Sequence, residues 1–121
     1  MARETKAQRE AREAQLQAER LADERATYLP RLMALLERAV KANFDLSVKE
    51  GKFVVYDRDE RRPTEHFLFP EHTDVAEGRL WDLDFDVGQK EAAQREAERQ
   101  YQMRQAALAK LTKEERALLG L

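Results

Sequence analysis

The spacing of apolar residues changes along the chain and divides it into helical and extended segments. Within residues 2–27, which contain neither Gly nor Pro, apolar residues recur at alternating intervals of four and three, except that Arg25 occupies one of these positions. A sustained spacing of this kind puts them on one side of an α-helix, where they form a seam against another helix. We call these positions the helix seam: Ala7, Ala11, Ala14, Ala18, Leu21, Tyr28, Leu32 and Leu35.

Pro30 lies inside this helical pattern. Its nitrogen carries no hydrogen for the carbonyl four residues earlier, so we predict a kink or a restart of the helix at this residue. Residues 1–29 should then form a protruding helix resembling one strand of a coiled coil. Residues 31–42 should form a helical segment whose wide apolar face packs on a sheet.

A period of two follows the helix and predicts a β-hairpin. Strands at 44–49 and 52–58 would be joined by a two-residue turn at Glu50 and Gly51. The turn and the alternation agree on the register, because both place apolar residues opposite each other on one face. The predicted cross-strand pairs are Lys49 with Lys52, Val48 with Phe53, and Leu46 with Val55.

Two further strands are predicted after the hairpin. Residues 66–69 read as a short third strand ended by Pro70. Residues 79–87 read as a fourth strand, since Trp81, Leu83, Phe85 and Val87 alternate with polar residues. Four consecutive strands predict an antiparallel meander, which with residues 30–43 gives a compact core over 30–88.

The helical composition returns over residues 89–121, which we expect to form a C-terminal helical arm. Thr112 followed by Glu115 has the form of a capping box for a last short helix that ends before Gly120. The predicted fold class is therefore α+β: a long N-terminal helix kinked at Pro30, a four-stranded meander, a long C-terminal helix and a short terminal helix.

Negative charge is concentrated in one segment. Residues 63–88 hold one basic and seven acidic side chains, whereas the net charge of the whole chain is −2. On a strand, residues two apart share a face, so three aspartates would form a carboxylate row. The row could be solvated and ion-paired, could bind a basic partner surface, or could bind metal, although Val87 stands where a calcium loop needs Gly. The candidate partner-binding residues are Asp82, Asp84, Asp86, Glu77 and Asp74.

Residues that carry catalysis or hold cofactors are scarce. The chain has no Cys, its only serine is Ser47, and its four glycines are scattered singly. These features argue against nucleophilic catalysis, Cys-bound zinc and phosphate-binding loops. His66 and His72 match no familiar metal-ligand spacing. We therefore expect no enzyme activity, no metal and no cofactor.

The sequence also bears on where the protein works. No stretch approaches the roughly 18–20 apolar residues that a membrane span needs. The charged N-terminal residues lack the apolar run of a secretory signal. Together with the missing cysteines, these features predict a soluble, cytoplasmic protein.

Two functions remain open at this stage. The first is a protein-binding adaptor or inhibitor, bacterial or bacteriophage in its composition, which forms a homodimer through the N-terminal helix unless the two long helices pair within one chain. The alternative is a role in nucleic-acid transactions. The acidic segment 63–88 would then block the basic groove of a DNA-binding protein, or the N-terminal helix would bind DNA weakly. The chain has no concentrated basic face, so direct nucleic-acid binding is the weaker expectation.

Overall fold

A computed structural model describes residues 3–121 and shows an α+β fold. Along the chain, a long helix is followed by a three-stranded antiparallel sheet with strand order β1-β2-β3, a second long helix and a short helix. The elements are α1 (Lys6–Lys41), β1 (Phe44–Lys49), β2 (Lys52–Asp57), β3 (His66–Leu68), α2 (Asp74–Ala109) and α3 (Lys113–Leu118). By its contacts the chain divides into two compact units, one ending at Asp84 and the other spanning Phe85–Leu121.

Helix α1 runs for 36 residues and has defined caps at both ends. Thr5 forms a capping box with Gln8, in which each side chain accepts from the other residue's backbone N–H. The helix continues through Pro30 without an interruption, so it does not restart there, and the kink at Pro30 stays a prediction. It ends as predicted near residue 42, where Asn43 adopts a left-handed conformation (φ 73°) and donates to the carbonyl of Val40.

The predicted hairpin is confirmed, together with its register. Lys49 pairs with Lys52, Val48 with Phe53, and Leu46 with Val55. Glu50 (φ 51°) and Gly51 (φ 75°) both have positive φ, which a two-residue turn matching the strand twist requires.

The predicted fourth strand is wrong. The structure forms only three strands among its described residues, and 79–87 lies within α2. The helix begins after Thr73, whose side-chain oxygen accepts from the Ala76 N–H as an N-cap does. Residues 74–78, which lie between the predicted third and fourth strands, therefore form the start of this helix. The burial pattern is helical as well, because Leu80 and Leu83 are buried and Trp81 is exposed.

The core of the first unit lies between the helices and one face of the sheet. On the sheet, Phe44, Val55 and Leu68 are buried on the same face, as cross-strand pairing requires. Leu46 and Val48 share that face by register, yet 37% and 66% of their surface is exposed. Helices α1 and α2 contribute the buried residues Tyr28, Leu32, Leu35, Leu36, Ala39, Ala76, Leu80 and Leu83.

The opposite face of the sheet contains one buried residue, Val54, among those described. Val54 is 3% exposed and is paired with Ser47 and Phe67. The ammonium of Lys52 lies 4.9 Å from the centre of the Phe67 ring, a cation–π contact. Strand β2 therefore has buried residues on both faces: Val54 on this face, and Val55 and Asp57 on the other.

The second unit consists of the rest of α2 and the short helix α3. Thr112 and Glu115 form the predicted capping box, and Gly120 (φ 74°) follows the last turn. The Leu121 N–H donates to the Arg116 carbonyl and the Gly120 N–H to the Ala117 carbonyl, which is a Schellman cap. Arg116 also donates to the Leu108 carbonyl through two guanidinium nitrogens, at 3.1 and 2.7 Å.

Among the described residues, neither long helix carries an apolar run sufficient to span a bilayer.

Candidate functional site

Glu77 lies at the centre of a polar cluster that joins α1 to the start of α2. Arg31 on α1 binds its carboxylate through two nitrogens, with N–O distances of 2.6 and 3.0 Å. The Trp81 indole N–H donates to the same carboxylate at 3.2 Å, and His72 Nε2 lies 3.0 Å from it. We call these four residues the Glu77 cluster. Its carboxylate is satisfied within the chain.

The electrostatics of the Glu77 cluster follow from this pairing. The hydrogen bonds from Arg31 hold the pKa of Glu77 below its usual value, against the opposing effect of burial. The same bonds raise the pKa of Arg31. Only 15% of the Glu77 side chain is exposed, so its carboxylate depends on these donors in place of water. The arrangement stabilises the charged form of the Glu77 carboxylate.

Tyr28 and His72 extend the Glu77 cluster towards the sheet. The Tyr28 hydroxyl donates to the Phe69 carbonyl at 2.6 Å, and its ring meets the His72 ring edge-on at 5.3 Å. Burial raises the pKa of Tyr28, and the charge of Glu77 adds to this effect. The segment between β3 and α2 is therefore fastened to α1 through one hydroxyl and one ring contact.

An open cleft of about 280 Å³ lies beside the Glu77 cluster, between α1 and α2. Ala34, Leu35, Leu80 and Trp81 supply its apolar lining. Its charged lining residues are already bound: Arg31 to Glu77, and Arg38 to Asp84 at 2.8 Å. The cleft can therefore accept an apolar side chain, but it presents no uncommitted charge towards a polar ligand.

The predicted carboxylate row is not formed, because its residues lie on a helix. Side chains two apart on a helix are about 200° apart around the axis, so Asp82 and Asp84 point to different sides. Asp84 forms the ion pair with Arg38, and Glu77 is enclosed in its cluster. Asp74 is exposed in the first turn of α2. There it favours the helix through the helix dipole, without needing a partner.

The helix seam divides into two parts with different environments. We call residues 6–20 of α1 its outer half and residues 28–39 its inner half. Tyr28, Leu32 and Leu35 of the inner half are at most 4% exposed and belong to the core. Leu21, which lies between the halves, is partly buried. The seam residues of the outer half are all exposed: Ala7, Ala11, Ala14 and Ala18.

Few local features of the sequence indicate the Glu77 cluster. His72 matches no familiar metal-ligand spacing, and the structure pairs it with Glu77. The pairing depends on α2, since only a helix starting at Asp74 turns Glu77 and Trp81 to the same side. The sequence feature that indicates a helix starting here is Thr73 as an N-cap, followed by the acidic residues Asp74 and Glu77 in the first turn.

Metal ligands are not grouped in the described part of the chain. Among residues 3–121, no three His, Asp or Glu side chains are placed to share an ion. His66 lies on β3 and His72 in the Glu77 cluster.

Comparisons with protein-family models, with curated proteins and with solved structures find no match to this chain.

Proposed function

We propose that this chain is a non-enzymatic protein-binding module, an adaptor or inhibitor, whose outer half of α1 receives a helix of a partner protein. One observation carries the proposal. From residue 3 to residue 20 every described residue is exposed, although the seam spacing persists through Ala18. The core needs the inner half of the seam and does not use the outer half.

The alanines of the outer half suit close contact with another helix. A small side chain lets two backbones approach, and a contact every three or four residues maintains that approach along the helix. Ala7 to Ala18 spans about 16 Å at about 1.5 Å per residue. This length admits three turns of a partner helix.

The charges around this stripe suit a protein partner better than a nucleic acid. Lys6 lies 4.0 Å from Glu10, and Arg12 lies 3.1 Å from Glu4, so the basic side chains have acidic neighbours on the same helix. Phosphate binding needs uncompensated positive charge. Mixed charge beside an apolar stripe favours a protein helix with its own mixed charges.

We infer that the protein works in the cytoplasm, because the chain has no cysteine and so cannot form the disulfides that are common in oxidising compartments. The composition favours a bacterial or bacteriophage source. A second copy of this chain is another possible source of the partner helix, in keeping with the homodimer expected from the seam. Because the inner half already belongs to the core, such a helical homodimer would rest on the outer half alone.

Replacement of alanines in the stripe tests the proposal. The double variant Ala11→Asp, Ala14→Asp puts two negative charges in the stripe, and Ala26→Asp, exposed but off the seam, puts a single negative charge elsewhere on α1. Both variants carry a similar helix-propensity cost per substitution, so circular dichroism should show comparable helix content. In affinity capture from the native host, a polypeptide retained by the unchanged chain and by Ala26→Asp should be lost by the double variant.

Equal retention by all three proteins, or retention of nothing, would contradict the proposal. Ala11→Cys separates the two sources of the partner helix. Rapid disulfide dimerisation of the purified variant would identify a second copy. Slow dimerisation with retained host capture would identify another protein.

The groove-blocking form of the nucleic-acid alternative has lost its geometric basis. It required the carboxylates of residues 63–88 to form one face, and that face depended on the fourth strand. Asp84 and Glu77 are instead bound to arginines of α1. No observation in the described residues favours this alternative over protein binding.

A further inference from the structure

At the outer edge of the sheet, the backbone groups of Leu46 and Val48 face away from β2, and no strand among the described residues pairs with them. Strand β1 has one neighbour, β2, and the two-residue turn makes Lys49 and Lys52 a hydrogen-bonded pair. The odd-numbered residues of β1 therefore point their N–H and C=O groups at β2. The Asn43 carbonyl follows the same alternation, since it accepts from the Arg58 N–H at 3.4 Å.

The even-numbered residues of β1 point their backbone groups outwards. Among the described residues no strand pairs with this edge at Leu46 or Val48. Their side chains are exposed too, at 37% and 66% of their surface. Natural edge strands are usually protected by charge, proline, a bulge or shortness. On β1 the two charged residues are Asp45, which already binds Arg58 of its own chain, and Lys49 at its end, whereas the opposite edge, β3, has three residues.

The sequence of β1 is complementary to itself when read in the opposite direction. If two copies pair antiparallel about Ser47, each Asp45 lies opposite a Lys49, and each Leu46 lies opposite a Val48. Both charges then lie on one face and both apolar residues on the other. A shift by one residue would bring apolar residues opposite polar ones. A shift by two would bring Asp45 opposite Ser47 or Lys49 opposite Ser47, and the charges would lose their partners.

We propose that two copies of this chain associate through their β1 edges, antiparallel and centred on Ser47. The result is one continuous sheet of six strands, three from each copy. Leu46 and Val48 exchange about four backbone hydrogen bonds across the two-fold axis. This isologous contact is separate from the outer half of α1, so it adds to the proposed partner binding without depending on it.

A single cysteine tests the register. Across the axis the two Ser47 residues form a non-hydrogen-bonded pair, whose Cα atoms lie about 4.5 Å apart. That distance falls within the range of about 4.4–6.8 Å that a disulfide accepts. Since the chain has no cysteine, Ser47→Cys introduces the only thiol. In a glutathione buffer it should form a covalent dimer much faster than Glu60→Cys, a control at an exposed position.

Charge exchange tests the pairing without a covalent bond. Asp45→Lys faces lysine with lysine across the axis, and Lys49→Asp faces aspartate with aspartate. Each variant alone should self-associate at least about tenfold more weakly in sedimentation equilibrium. An equimolar mixture restores both opposite-charge pairs and should form a heterodimer. Because Asp45 also binds Arg58 at 2.8 Å within the chain, Arg58→Ala serves as the control for loss of that contact and should still dimerise.

Three results would overturn the proposal. The first is a monomeric protein at tens of micromolar. The second is equal cross-linking rates for Ser47→Cys and Glu60→Cys, and the third is a mixture that remains monomeric. Rapid cross-linking of Ala11→Cys with slow cross-linking of Ser47→Cys would move the dimer contact to α1. Host capture by a variant that no longer dimerises would leave the proposed function standing while the β1 contact fails.

Discussion

The two halves of α1 share one spacing of apolar residues but have opposite environments. In the inner half the seam carries Tyr28, Leu32 and Leu35, which are at most 4% exposed. In the outer half it carries alanines, all of which are exposed. The spacing therefore predicts which side of a helix makes contacts. The size of the side chains indicates which part of that side packs into the core of the same chain. An alanine buries too little area to recruit a core, but it can line a contact that another molecule completes.

The strongest test of this comparison removes a large side chain from each half. Leu32→Ala leaves a cavity at a fully buried position and should lower the free energy of unfolding by about 2–5 kcal/mol. Leu16→Ala, at a residue that is 57% exposed, should change it by less than about 0.5 kcal/mol. Urea denaturation followed by circular dichroism measures both. Similar losses for the two variants would show that the halves do not differ in this way.

A second test concerns Tyr28, where the inner half begins. Tyr28→Phe keeps the ring but deprives the Phe69 carbonyl of its donor. We expect a loss of about 1–3 kcal/mol in unfolding free energy, because the carbonyl is left without a partner in a partly buried position. Tyr101→Phe is the matched control, since Tyr101 is 58% exposed and its variant should be neutral. A neutral Tyr28→Phe would mean that water replaces the hydroxyl.

A third test uses pH to measure what Glu77 adds to the inner half. Its pKa is lower in the folded chain, owing first to Arg31, so the folded state favours the charged carboxylate. The resulting stability is complete above the unfolded value of about 4.3 and is lost as pH falls through the lower folded value.

The variant Glu77→Gln should therefore be less stable than the unchanged chain at pH 7 and should approach it in acid. We expect a difference at pH 7 of only about 1 kcal/mol, because 36% of the Arg31 side chain is exposed and water screens the pair. Urea titrations at several pH values measure this difference. Glu71→Gln, at an exposed position, should parallel the unchanged chain throughout. If the difference in unfolding free energy between Glu77→Gln and the unchanged chain did not vary with pH, the loss of stability would come from packing and not from the charge of Glu77.

The smallest expected effect concerns the helix that covers the inner half. Gly78 lies inside α2, and a Cβ placed there meets no atom within 4 Å. Gly78→Ala should raise the free energy of unfolding by about 0.5–1 kcal/mol by restricting the unfolded chain. Gly51→Ala should lower it, because φ at that residue is +75°. Thermal unfolding distinguishes the two signs, and a destabilising Gly78→Ala would show that α2 needs glycine there.

The hairpin was predictable in detail because three local signals agreed. Alternation, the Glu50-Gly51 turn and cross-strand matching all specified one register. Both capping boxes have side chains within four residues of each other, and the one predicted, at Thr112, is present. Structure determined by neighbouring residues can be read from sequence, since the physical cause lies within the segment.

Residues 79–87 show where such reading failed. Trp81, Leu83, Phe85 and Val87 alternate with polar residues as a strand does, yet buried Ala76, Leu80, Leu83 and Val87 are also spaced as on a helix. Both patterns fit the same letters, and the N-cap Thr73 was the feature that favoured the helix. The Glu77 cluster was hidden for the same reason, because it links residues 46 positions apart and requires the correct secondary structure first.

The indole of Trp81 is the only one in the chain, and it donates a hydrogen bond to the carboxylate that α1 holds in place. Intrinsic fluorescence therefore reports from one known position, without labelling. Its emission should respond when the Glu77 carboxylate is protonated, or when an apolar molecule enters the neighbouring cleft and changes the ring's exposure to water. The protein thus carries its own optical probe of the junction between α1 and α2.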